Sequence, residues 1–129
     1  MKNSAHILIV EDLLSMRVVL KKALKELGFL HIDEAADGLA AWEMIRNQAL
    51  GGSPYDLILS DVEMPEMNGL ELLIKVLQDE WCRKSPFVFV SVAADEEAKE
   101  KLIKLGAKAY LERPFTPEDL KKCLDSLPS

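Results

Sequence analysis

Four short apolar runs, at residues 6–10, 57–60, 87–91 and 109–111, lack the polar alternation of a strand that faces water on one side. Continuous apolar runs of this length describe strands covered on both faces, as in parallel sheets. A weaker run at 32–35 reads as a fifth strand, at an edge. Between the runs, apolar residues recur at helical spacing: Met16, Val19, Leu20, Ala23, Leu24 and Leu27, then Leu39, Trp42, Ile45 and Ala49, then Leu70, Leu73, Ile74, Leu77 and Trp81. A fourth stripe, Ala98, Leu102 and Leu105, is closed by Gly106. A fifth, Leu120, Cys123, Leu124 and Leu127, is opened by Thr116, Pro117 and Asp119, and Gly28 ends the first helix. Five strands alternating with five helices through short loops predict an α/β fold: a doubly wound, five-stranded parallel sheet with helices on both faces.

With 129 residues, 49% of them hydrophobic, the chain suits one domain over 1–129 with a substantial core. Gly51-Gly52-Ser53-Pro54 reads as a loop within it. A net charge of −6 argues against direct nucleic-acid binding and against acidic lipid, both of which need a basic surface. The apolar run ahead of Glu11 is too short for a signal-peptide core or a membrane span, so a cytoplasmic protein without membrane insertion is expected. Cys82 and Cys123 stand without metal-ligand or Cys-x-x-Cys spacing and read as idle thiols. Trp42, Trp81, His6, His31 and the leucine stripes read as core packing.

The chemistry-bearing residues lie at strand ends. In a parallel sheet the loops at the carboxyl ends gather at one edge, where ligands bind. Glu11-Asp12 follows the first strand, Asp61 the third, Ser91 ends the fourth, and Arg113-Pro114 comes within two residues of the fifth. As helix caps these acids are poorly placed, since Ser15 stands nearer the first periodic residues and Asp61 is far ahead of the helix that begins near Gly69. Two carboxylates ~4 Å apart repel by roughly 4 kcal/mol at an effective dielectric near 20. A compensating cation is therefore expected, and three carboxyl groups plus a backbone carbonyl suit Mg²⁺, a hard ion that keeps several waters.

Taken in order, Glu11-Asp12, Asp61 with Met64-Pro65 and Met67-Asn68-Gly69 behind it, Ser91, Tyr110 and Pro114-Phe115 resemble the receiver domain of two-component response regulators. The likeness is to the single-domain chemotaxis type and spans nearly the whole chain. It implies a flavodoxin-like strand order, 2-1-3-4-5. It also implies that Asp61 is the phosphorylation site, taking a phosphoryl group from a sensor histidine kinase, a histidine phosphotransfer protein or a small phosphodonor. Asp12, Asp61 and the carbonyl of Glu63 would hold Mg²⁺ directly, and Glu11 through water. Ser91 and Arg113 would contact the phosphoryl group, and Ser91 and Tyr110 would form the switch. Such a protein is a phosphoacceptor that assists its own phosphorylation and dephosphorylation, not an enzyme with a separate substrate. Its output would pass through the surface of helix four, strand five and helix five to a downstream protein target, from a monomer or weak dimer.

Two positions depart from the family pattern: Arg113 stands where lysine is usual, and Val92 where a small residue is usual. Arginine keeps the charge, but its planar fork is larger than a lysine's point contact, so altered switching is expected. Val92 either narrows the phosphoryl entrance or packs under its loop. Glu63 and Ala93, two residues beyond Asp61 and Ser91, bear on the acyl-phosphate lifetime. A cis peptide is expected before Pro114. Asn68-Gly69 is expected to turn with positive φ, and Met64-Pro65 to restrict the loop. Two other function classes compete. One is a pseudo-receiver, a binding module in which Arg113 and Val92 have spoiled the pocket. The other is a phosphatase using Asp61, disfavoured because Glu63 occupies the place of a second aspartate and no insertion is long enough for a cap.

Overall fold

Parity sorts the apolar runs onto two faces. The computed structural model describes residues 1–64, 66–92 and 95–127. Its strands β1 (His6–Val10), β2 (His31–Ala35), β3 (Leu57–Ser60), β4 (Phe87–Val92) and β5 (Ala109–Arg113) form one parallel sheet in the order β2-β1-β3-β4-β5. Leu8, Val10, Ile58, Phe87 and Phe89 point to the side covered by α2 (Gly38–Leu50) and α3 (Gly69–Gln78), where Ala41, Ile45, Leu72 and Val76 meet them. Ile7, Ile9, Leu57, Leu59, Val88 and Val90 point to the side covered by α1 (Leu14–Glu26) and α5 (Pro117–Asp125), against Leu20, Leu24, Leu120 and Leu124. A one-residue slip of any central strand would exchange its two faces wholesale, so the register is strongly specified. The doubly wound, flavodoxin-like arrangement expected from the residue pattern and the family likeness is the one observed.

The weaker second strand is an edge, as expected, and the peptide before Pro114 is cis. β5 runs two residues past the apolar run, so Arg113 belongs to the strand and pairs in register with Val92. Gly28 and Gly106 close α1 and α4 (Glu96–Leu105) with positive φ. Thr116 and Asp119 cap α5 reciprocally.

Several expectations fail for identifiable reasons. Ser15 does not cap α1: the cap position is Leu13, which offers no side-chain acceptor, and Ser15 lies inside the first turn. Val19, Leu39, Ile74 and Leu105 are exposed, because each apolar stripe is wider than the arc its helix presents to the sheet, and Trp81 is exposed because α3 ends before it. Trp81 instead lies outside the helices, with the Lys84 ammonium over its ring. His31 is exposed, and His6 is a hydrogen-bonding residue: its Nε2 and the Tyr55 hydroxyl both reach Asp33 Oδ2, at 2.8 and 2.7 Å. The expected Asn68-Gly69 turn is absent too. Asn68 has φ −73° and caps α3 through a reciprocal pair with Glu71, while the positive φ in this loop falls on Glu66. Pro65 and Ala93, which also bore expectations, lie outside the described residues.

Gly69 is required by close approach. A Cβ there would lie 2.1 Å from the carbonyl oxygen of Asp61 and 2.9 Å from the Phe89 ring, while its N–H donates to the Val62 carbonyl at 2.8 Å. The start of α3 thus braces the backbone carrying Asp61. Gly69→Ala is predicted to destabilise the protein by about 1–3 kcal/mol, the usual cost of forcing atoms into a packed site. Urea unfolding of the two proteins checks it.

Candidate functional site

Adjacency of β1 and β3 brings the acids together. Val10 and Ser60 are register partners, the Asp61 N–H donates to the Val10 carbonyl at 3.0 Å, and the residue immediately after β1 is Glu11. Glu11, Asp12 and Asp61 each present a carboxylate oxygen within 4.8 Å of the others. Glu11 is fully buried, Asp61 nearly so, and Asp12 is exposed. Glu63 lies exposed in the loop beyond Asp61, and its carboxylate is not part of this group.

The guanidinium of Arg113 points into the group. Its Nη2 forms an ion pair with Glu11 Oε2, lies 3.6 Å from Asp61 Oδ2 and donates to the Val90 carbonyl at 3.0 Å. Sequence reasoning assigned Arg113 a cationic role beside Asp61, but not the pairing with Glu11. That pairing depends on side-chain reach across β4. Ser91 is buried at the end of β4, one residue from Val92, whose side chain is 65% exposed. The loop after Val92, at residues 93 and 94, lies outside the described residues. The Tyr110 hydroxyl donates to the Val92 carbonyl at 2.7 Å, tying β5 to the end of β4, and the Lys99 ammonium sits over the Tyr110 ring.

One residue that sequence reasoning passed over holds the acidic segment in place. Arg17 donates from Nη1 to the carbonyls of Glu11 and Asp12, at 2.7 and 3.3 Å, and its Nε lies 3.3 Å from Glu34 Oε1 on β2. With no side-chain cap at Leu13, this clamp and the Leu13 N–H donating to Glu11 Oε1 at 3.2 Å set the entry to α1. A lone arginine in an apolar helical stripe gives no sequence signal for such a role.

Three carboxylates face one guanidinium, so their charge is only partly compensated, and an all-oxygen donor set suits a hard divalent ion. The residues present therefore fit Mg²⁺. Burial pushes the Glu11 carboxyl up to about 7; Asp12 and Asp61 reinforce the rise, while the Leu13 N–H and Arg113 oppose it.

Comparison with known proteins agrees with this geometry. A family model described as the response regulator receiver domain matches residues 7–125. The chain is 32% identical to the chemotaxis protein CheY-3 of Vibrio cholerae over 127 residues, covering 98% of this chain and 94% of that one. It is 33% identical to the chemotaxis protein CheY1 of Helicobacter pylori, over 92% of this chain and 93% of the relative. Among solved structures it resembles Vibrio cholerae CheY4, with TM-score 0.84 and 30% identity over 97% of this chain and 99% of that one. It also resembles the receiver domain of the sensor histidine kinase PA1611 of Pseudomonas aeruginosa, a structure with a magnesium ion coordinated in its active-site cleft. There the TM-score is 0.81 and the identity 27%, over 95% of each chain.

The raised Glu11 carboxyl has a measurable consequence in metal-free solution. Between about 7 and the ordinary value of 4.5 the folded protein holds a proton at Glu11 that the unfolded chain does not, so this group's contribution to stability grows as pH falls through that window. Glu11→Gln is predicted to remove that component. Urea midpoints measured from pH 8 to pH 5 in the presence of chelator should show a smaller low-pH gain in the variant.

Proposed function

Because this chain belongs to the response regulator receiver domain family, whose members are signal transducers and not enzymes of the ordinary kind, we propose that it is a phosphoacceptor switch with Asp61 as its phosphorylation site. The single observation that carries the reading is the meeting of Glu11, Asp12 and Asp61 with the Arg113 guanidinium at the carboxyl edge of the sheet.

In this reading an Asp61 carboxylate oxygen attacks the phosphorus of a phosphohistidine on a sensor histidine kinase or histidine phosphotransfer protein. An oxygen–phosphorus bond forms, the phosphorus–nitrogen bond breaks, and the imidazole nitrogen leaves with the electron pair. Asp12, Asp61 and the Glu63 carbonyl, with Glu11 through water, are the groups that would hold Mg²⁺, which when bound neutralises charge on the transferring oxygens. The Ser91 hydroxyl donates to one phosphoryl oxygen and the Arg113 guanidinium to another. Transfer of this kind needs chiefly positioning and charge compensation, and both are supplied by groups on rigid strand ends.

Output is assigned to the surface of α4, β5 and α5, acting on a downstream protein target. Among the described residues α4 contributes no fully buried side chain, so its docking on the sheet is light enough to shift. The Tyr110–Val92 hydrogen bond connects that surface to the residue beside Ser91, giving a two-state element that phosphorylation at Asp61 can bias. The unit is read as a single receiver domain over 1–129, cytoplasmic, monomeric or weakly dimeric, and without direct nucleic-acid contact. Among the described residues no helix is long and apolar enough to cross a membrane.

A second reading, a pseudo-receiver binding module, is favoured by the Arg113–Glu11 pair, which engages the cation beside Asp61. Incubation with acetyl phosphate or phosphoramidate plus Mg²⁺, followed by intact-mass measurement, separates the two. The expected result is one added phosphoryl group in the wild type and none in Asp61→Asn. An unlabelled wild type, under conditions that label an ordinary receiver, would establish the binding module instead.

A further inference from the structure

Arg113 lies against two of the three carboxylates of the proposed metal site, those of Glu11 and Asp61. Among the described residues its polar contacts run through one terminal nitrogen, Nη2, which is ion paired with Glu11, 3.6 Å from Asp61 Oδ2 and bonded to the Val90 carbonyl. Its Nε is buried without a hydrogen-bond partner among the described residues. The guanidinium is thus held by its tip and not locked as a two-pronged fork, an arrangement that leaves it able to move. Glu11, in turn, has two partners among the described residues, this guanidinium and the Leu13 N–H.

Two cations therefore compete for one set of carboxylates. A guanidinium offers no oxygen to a metal's coordination shell, and a charge of +1 drawn against Glu11 and Asp61 repels a divalent ion entering between them. We infer that Arg113 is a resident competitor for the divalent ion: it holds Glu11 and Asp61 in a metal-free pairing, weakens Mg²⁺ binding, and leaves Glu11 when Mg²⁺ binds. This rests on the reading of the three acids as a Mg²⁺ site. It adds that the residue at position 113 sets the affinity of that site, so that this receiver takes up Mg²⁺ only when the Arg113–Glu11 ion pair opens. The same opening frees the guanidinium to meet a phosphoryl group on Asp61, coupling metal uptake to the position of the second cation.

Calorimetric titration of Mg²⁺ at pH 8 into the wild type, Arg113→Lys and Arg113→Gln tests this, with circular dichroism showing that each variant is folded. Removing the charge in Arg113→Gln should tighten Mg²⁺ binding about tenfold, equivalent to ~1.4 kcal/mol, and the shorter point charge in Arg113→Lys should tighten it by a smaller factor. In the wild type, Mg²⁺ should also displace the Arg113 Nε–H resonance in a ¹⁵N-edited spectrum. If Arg113→Gln does not fold, Arg113→Lys and the resonance decide. Equal or weaker Mg²⁺ affinity in the folded variants, with clear binding in all of them, overturns the competition and leaves the receiver reading intact. No Mg²⁺ binding in any protein, Arg113→Lys included, overturns both.

Discussion

Negative charge drawn together at the carboxyl edge of a buried sheet is the constraint around which this molecule is organised. Glu11, with no exposed surface, and Asp61, nearly buried, face each other because β1 and β3 are neighbours in register. Left uncompensated, such a pair would repel by several kcal/mol and drive one acid to stay protonated. The Arg113 guanidinium, brought from β5 across β4, supplies the charge that makes the arrangement tolerable. Three separate strands thus contribute to one electrostatic unit, and none could form it alone.

The surrounding structure holds those groups still. Arg17 ties the carbonyls of Glu11 and Asp12 to Glu34 on the edge strand, while Gly69 lets the start of α3 close directly onto the backbone of Asp61. One face of the cluster is thereby rigid. The opposite side is lighter: α4 buries no side chain completely among the described residues, and Tyr110 holds the end of β4 through a single hydrogen bond to Val92. A stiff charge cluster beside a lightly held helix is a suitable layout for turning a local charge change into a change of surface.

The role of Arg113 in this cluster depends on its reach. A lysine ammonium makes a point contact, whereas this guanidinium extends to Glu11 while remaining beside Asp61. Val92 acts at the same edge from outside, with its side chain in solvent next to Ser91. Neither Arg113 nor Val92 belongs to the two buried cores.

Much of this was legible in the chain. Apolar runs without alternation, separated by helical stripes, determined a two-faced parallel sheet, because only burial on both sides accounts for them. Acids at the ends of those runs determined where charge would collect. Capping by Thr116 and Asp119 and the stop at Gly106 were equally local and equally readable. The stripes overstated the core, however: Val19 and Leu39 fit a helical period yet face solvent, because period alone does not say how wide an arc the sheet will cover, and Trp81 lies beyond the end of α3. Asn68-Gly69 had the composition of a turn but became a helix start, a choice made by the fit of Gly69 against Asp61. Only the tertiary structure decided that Arg113 pairs with Glu11 and that Arg17 clamps the acidic segment. Those contacts join residues on different elements, and their existence depends on side-chain reach across a folded sheet, a quantity that no local pattern in the sequence encodes.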